Sequence, residues 1–97
     1  MSYSLRYRAS FMRSVKELDH GIQRRLLDEI DQLVNAPRSG KRLSSRELAG
    51  KWSWRFGDYR IIYEIYEDDK IIDLVLVSHR RNVYDIIQRL FSFLLSL

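Results

Sequence analysis

The sequence predicts an α+β domain with the order β-α-α-β-β-β-α: a small, mainly antiparallel sheet with a helical hairpin packed on one face. Three observations carry that expectation. Tyr3, Leu5 and Tyr7 alternate with polar residues near the start, as in a half-buried strand. Apolar residues then recur at helical spacing on either side of Asp19-His20-Gly21. Finally, residues 51–77 hold three runs rich in β-branched and aromatic residues, separated by Gly57-Asp58 and Asp68-Asp69.

The elements follow in order. Residues 2–8 read as the first strand. Ser10 is the expected cap of a helix running to about Leu18, with Phe11, Val15 and Leu18 on one face. Gly21 is placed to end that helix in the left-handed conformation. A second helix carries Ile22, Leu26, Ile30, Leu33 and Val34 as its apolar stripe and stops before Pro37. The short break makes the pair an antiparallel hairpin. Residues 38–50 are polar and basic, contain Gly40 and Gly50, and read as a loop. Strands are expected at Trp52–Phe56, Tyr59–Tyr66 and Lys70–Val77. Trp52 and Trp54 share a strand face and are expected in the core, with Ser53 on the opposite, polar face. A last helix is expected from about Asn82, with Ile86, Leu90, Phe91 and Leu94 at helical spacing. The tail LFSFLLSL is too short for a bilayer and is expected to cover an apolar surface.

The 97 residues fit a single domain, 1–97. Cysteine is absent, which excludes disulfides, thiolate catalysis and cysteine metal sites. His20 and His79 are the only histidines and have no ligand spacing around them, so neither a metal nor another cofactor is expected. No stretch approaches the ~20 apolar residues of a membrane span, and MSYSLRYRAS lacks the apolar run of a secretory signal. A cytoplasmic protein without membrane contact is the simple expectation.

The net charge of +4 is unevenly spread. Residues 38–60 carry net +5, residues 61–78 carry net −4, and residues 79–97 carry net +2. Antiparallel strands can bring the two basic blocks together at one end of a sheet, with Glu67, Asp68 and Asp69 at a hairpin tip. Lys51, Arg55, Arg60, Arg80 and Arg81 then form a cationic group at strand ends, with His79 and Tyr84 beside them. Such a group suits a polyanion, RNA first, and suits metal or acyl chemistry poorly.

RNA can be cleaved without a metal when its own 2′-hydroxyl attacks the adjacent phosphorus. The protein must then accept the 2′-proton, stabilise the phosphorane-like charge and supply a proton to the leaving oxygen. Arginine stabilises such charge through paired N–H donors. Its free pKa, near ~12.5, makes it a poor acid, whereas Tyr84, near ~10 when free, becomes a base if Arg80 and Arg81 favour its phenolate.

The segments Trp52-Ser53-Trp54-Arg55-Phe56-Gly57-Asp58-Tyr59-Arg60-Ile61-Ile62-Tyr63-Glu64 and Ser78-His79-Arg80-Arg81-Asn82-Val83-Tyr84 resemble the RelE/ParE superfamily of toxins. So does Leu33-Val34-Asn35-Ala36-Pro37-Arg38 followed by Lys41-Arg42-Leu43. The resemblance covers nearly the whole chain and implies a RelE-like fold. It also implies a small toxin held inactive by a cognate antitoxin with an acidic or amphipathic helical segment, and contact with operator DNA only through that complex. Arg60, Arg80 and Tyr84 match the RelE branch, whose members cleave messenger RNA in the ribosomal decoding site. There the corresponding positions contact the scissile phosphate or move protons. Lys51 matches a basic position of the same branch, and Arg55, His79 and Arg81 complete the expected RNA-binding set. At Ser53 some active members carry a second lysine, a departure that bears on rate. Two alternatives stand beside this reading: a ParE-type inhibitor of DNA gyrase without catalysis, and a weakly active relative that acts mainly with its antitoxin on operator DNA.

Overall fold

The computed structural model describes residues 2–44 and 46–81. The expected last helix, the apolar tail and Tyr84 lie outside them. Five strands form one sheet in the order β1-β5-β4-β3-β2. They are β1 (Ser4–Tyr7), β2 (Lys41–Arg42), β3 (Lys51–Phe56), β4 (Tyr59–Tyr66) and β5 (Ile71–His79). β1 runs parallel to β5, and the other three pairings are antiparallel. The helices α1 (Ala9–Lys16) and α2 (His20–Asn35) carry the chain from the β1 edge of the sheet to the β2 edge.

The helical hairpin covers one sheet face, as its apolar stripes dictate. Phe11 from α1 and Leu26, Ile30 and Leu33 from α2 pack with Phe56, Ile61, Tyr63, Ile72, Leu74 and Val77 from the strands. Trp52 and Trp54 border this core. Trp54 Nε1 donates to Glu29 Oε1 at 2.9 Å, and Trp52 stacks on Tyr63 with ring centroids 6.5 Å apart. Both indoles are therefore structural. A second, smaller cluster on the other face joins Leu43 and Leu48 to Ile62, Val75 and Leu76. The segment between β2 and β3 thus covers the middle of that face.

The helix ends differ from expectation. Asp19 caps α2, its side chain accepting from the Ile22 amide at 2.9 Å, and Gly21 lies within the first turn of α2 instead of terminating α1. Arg8 occupies the cap position of α1 and its side chain makes no capping bond, while Ser10 turns away to donate to the Val75 carbonyl at 2.6 Å. The cause is a bulge in β5: Ile62 pairs with Leu76 but Tyr63 pairs with Leu74, leaving Val75 as the extra residue. Two backbone groups beside the bulge find serine hydroxyls, since Val77 N–H donates to Ser14 Oγ at 3.1 Å. The pair ties α1 to the sheet. Ser10→Ala is expected to lose about 1 kcal/mol, the net worth of one such bond, read as a lowered midpoint in urea with unchanged slope.

The loop expected over 38–50 contains structure. Pro37–Ser39 forms a 3-10 turn, Lys41–Arg42 pairs with β3, and Arg46–Leu48 forms a second 3-10 turn. At the far tip, Glu67, Asp68 and Asp69 lie in the β4–β5 turn as the charge pattern implies. Glu67 gathers Lys70, Arg38 Nη2 at 2.7 Å and Tyr3 Oη at 2.8 Å. Hydrogen bonds from Lys70, Arg38 and Tyr3 hold its carboxyl at about 2, below the ordinary range. A carboxyl lowered by folding stabilises the fold above its unfolded pKa of ~4.3 and loses that contribution as pH falls further. Glu67→Gln should therefore melt below the parent at pH 5, and the gap should close by pH ~2.

Candidate nucleic-acid interface

Strand alternation puts Lys51, Ser53 and Arg55 of β3, and Arg60, Ile62 and Glu64 of β4, on the face away from the helices. The covered middle divides this face into two ends with opposite electrostatic character.

At one end the cations are matched. Asp73 is buried, 3% exposed, and accepts from Arg8 Nε at 2.6 Å, with Arg6 Nε 3.7 Å away. Glu64 lies 3.4 Å from Arg8 Nη2 and 3.1 Å from Lys51 Nζ, and accepts from Tyr66 Oη at 2.5 Å. Burial alone would raise the Glu64 carboxyl. The bonds from Tyr66 and Lys51 and the charges of Lys51 and Arg8 outweigh burial and hold it below its usual range. Lys51 is thus committed to a carboxylate at this end.

At the other end Arg55 and Arg60 are unmatched. Arg55 lies directly opposite Arg60 across β3–β4, and Arg60 lies opposite Ser78 across β4–β5. Like charges facing each other across strands are destabilising. Among the described side chains, neither arginine has a carboxylate within salt-bridge distance. Arg60 Nη1 donates to Ser53 Oγ at 3.3 Å, and its Nε is buried with no partner among the described residues. Ser53 is 2% exposed, so it lies on the face opposite the tryptophans as expected but forms the floor of a cleft instead of a free polar surface. That cleft, about 420 Å³, is lined by Ser39, Gly40, Lys41, Ser53, Trp54, Arg55 and Arg60.

Arg80, Arg81 and His79 follow at the end of β5, beside the β3–β4 turn. Arg80 is half exposed; its amide donates to the Asp58 carbonyl at 2.7 Å and its Nε lies 3.8 Å from Asp58 Oδ1. Arg81 is exposed and its amide donates to His79 Nδ1 at 3.3 Å. The His79 ring stands edge-on to Tyr59, centroids 5.4 Å apart, and Tyr59 packs against the helix-side core. The sheet therefore separates His79 from Arg60. The structure brings Arg55 and Arg60 together, with Arg80 and Arg81 at the same end, and keeps Lys51 and His79 apart from that pair.

Residue spacing did not single out Lys41. Its sequence signals were the net +5 of residues 38–60 and a place in the Lys41-Arg42-Leu43 segment; its position opposite Ser53 depends on strand β2.

A five-stranded, mostly antiparallel sheet covered on one face by a helical hairpin matches the fold of solved RelE toxins. Residues 5–84 match the family described as ParE toxin of type II toxin-antitoxin system, parDE. Toxin RelG of Mycobacterium tuberculosis is 33% identical over 86 residues, which span 87% of this chain and 98% of RelG. In the toxin-antitoxin complex RelBE2 of the same organism, the matched chain superposes with a TM-score of 0.76 at 28% identity, covering 81% of this chain and 99% of that one. The archaeal RelE-RelB complex of Pyrococcus horikoshii OT3 gives 0.68 at 25% identity, covering 82% and 97%. The chain belongs to the ParE toxin family and is a type II toxin related to RelE and RelG. Among the described residues, no helix is long and apolar enough to cross a membrane.

Proposed function

We propose that this toxin is a ribosome-dependent endoribonuclease that cleaves messenger RNA in the decoding site by 2′-hydroxyl attack. The observation that carries this reading is Arg60: a buried Nε–H with no partner among the described residues, in a cleft that also holds Arg55 and Lys41. Burying a donor without a partner and facing two arginines both cost stability in the free protein. An anionic ligand offsets both costs, and a phosphodiester passing to a phosphorane gains the most charge at that point.

In the reaction, the 2′-oxygen forms a bond to phosphorus and the P–O5′ bond breaks. The products are a 2′,3′-cyclic phosphate and a 5′-hydroxyl. Tyr84 accepts the 2′-proton, Arg60 stabilises the non-bridging oxygens, and Arg80 stabilises the leaving oxygen as it takes up a proton from water. Arg55 and Arg81 hold flanking RNA. Lys51, held by Glu64, and His79, on the helix side, lie outside the cleft and take no part in this step. No metal or other cofactor is required by this scheme.

The partner that restrains the toxin is proposed to be a cognate antitoxin carrying an amphipathic helical segment; operator DNA is reached only through that complex. Support comes from the complexed state of the RelBE2 and archaeal relatives. A groove between β1 and the two helices, lined in part by the exposed Tyr7, Met12 and Leu27, offers apolar surface for such a helix. The cytoplasm, where the ribosome is, is the matching location.

A second reading, gyrase inhibition without catalysis, is favoured by the ParE family match. Two assays separate the readings: cleavage of ribosome-bound mRNA and supercoiling by purified gyrase. Intact mRNA together with inhibited supercoiling selects the second.

A further inference from the structure

One wall of the cleft carries Arg55 and Arg60; the other is Ser39-Gly40-Lys41. That second wall is fixed in place. Tyr63 Oη donates to the Pro37 carbonyl at 2.6 Å from a buried ring. Gly40 presses so closely on the sheet that a Cβ there would lie 2.2 Å from Tyr63 Oη and 2.8 Å from the Ser53 carbonyl oxygen. The chain then pairs with β3, and Lys41 comes to lie directly opposite Ser53, on the face of Arg55 and Arg60. Lys41 is exposed and, among the described side chains, has no carboxylate within salt-bridge distance. Edge strands often carry a lysine only to discourage pairing with other chains. Arg42, its neighbour on the two-residue strand, already serves that end from the other face.

Two strand spacings of ~4.8 Å across and two residues of ~3.4 Å along place the Cα atoms of Lys41 and Arg60 roughly 12 Å apart. Two long side chains close most of that gap, leaving room for more than one phosphate along a single strand. The geometry points to Lys41 as the cation that binds the phosphodiester neighbouring the scissile one on a single RNA strand. This rests on the RNA-cleaving reading of the same cleft and adds a second subsite to it, built from the β2 edge. Lys41 is a binding residue: its charge meets substrate equally before and during bond breaking.

The test uses the purified full-length chain and a short single-stranded RNA with 2′-O-methyl groups, which lack the nucleophile and stay intact. Binding is followed by fluorescence anisotropy across a salt series. Each phosphate contact in a single strand contributes a slope of about 0.7 in log K against log salt, so Lys41→Gln should lower the slope by about 0.7 and weaken low-salt binding about fivefold. Lys41→Arg should restore both, and the melting temperatures of all three proteins should coincide. On ribosomes, Lys41→Gln should raise KM with kcat unchanged. A Lys41→Gln protein with the parent's affinity and slope overturns the subsite, as does a parent chain that does not bind the oligonucleotide. A chain that shows the Lys41-dependent slope yet leaves ribosome-bound mRNA intact contradicts the cleavage reading and reduces Lys41 to an RNA phosphate contact with no scissile neighbour.

Discussion

Arg60→Ala is expected to lose about 10²–10³-fold in cleavage rate, the usual consequence of removing one donor aimed at developing charge. The same substitution should leave the fold as stable as the parent or more so. It deletes a buried Nε–H that has no partner among the described residues and relieves the repulsion between Arg55 and Arg60. Loss of activity with retained or increased stability is the signature of a group kept for function at a structural cost. Arg60→Lys should recover little, since a lysine offers a point charge where the guanidinium offers a fixed fork of donors. Single-turnover cleavage and a thermal melt of each protein decide the matter. A stable Arg60→Ala protein that cleaves at the parent's rate would remove Arg60 from the active surface, and a sharp drop in stability would show that its role is structural.

The largest loss of stability is expected from Arg8→Ala. Asp73 is 3% exposed and takes its short hydrogen bond from Arg8 Nε at 2.6 Å. Removing one member of a buried ion pair leaves a charge out of water with its partner gone, and costs about 3–5 kcal/mol in fully buried cases. Arg8 is itself half exposed and Arg6 stays 3.7 Å from Asp73, so the low end applies, about 3 kcal/mol. For a domain of this size that corresponds to a melting temperature lower by about 15 °C. Adding Asp73→Leu to Arg8→Ala should recover much of the loss, because the stranded charge is gone and leucine suits the buried site. A thermal melt of the single and double variants checks both statements. The substitution lies at the matched end of the face, so surviving Arg8→Ala protein should keep most of its activity.

The strands and helices were legible because their cores follow simple periods. Phe11, Leu26, Ile30 and Leu33 recur at helical spacing, and Tyr59, Ile61, Tyr63 and Ile65 alternate along β4. Three features resisted for physical reasons. A two-residue strand such as β2 has no period to detect and exists only because β3 is beside it. The bulge at Val75 depends on hydroxyls of α1 more than sixty residues earlier in the chain, which turned Ser10 from a presumed cap into a sheet tie. The α1–α2 break was read as a glycine stop, whereas the local hydrogen bond favours Asp19 as the start of α2.

The cationic site was legible as a set but not as a geometry. Arg55 and Arg60 stand five residues apart in sequence, on either side of the Gly57-Asp58 turn, so a hairpin register was enough to bring them face to face. Lys51 is four residues from Arg55 and also carries a positive charge, yet its charge is met by Glu64, a cross-strand neighbour that composition cannot reveal. His79 was set apart by the bulge, which shifts the alternation of β5 so that Val77 faces the helices and His79 joins Tyr59. Lys41 and the glycine that lets it approach emerged only from packing.

The central claim, that the Arg60 cleft acts on RNA held by the ribosome, is tested most directly by incubating the purified toxin with programmed ribosomes and mapping mRNA ends. Cuts are expected within the codon at the decoding site, with 5′-hydroxyl and 2′,3′-cyclic phosphate ends, and about 10²–10³-fold slower for Arg60→Ala. Uncut mRNA under conditions where the same toxin inhibits gyrase supercoiling would contradict it.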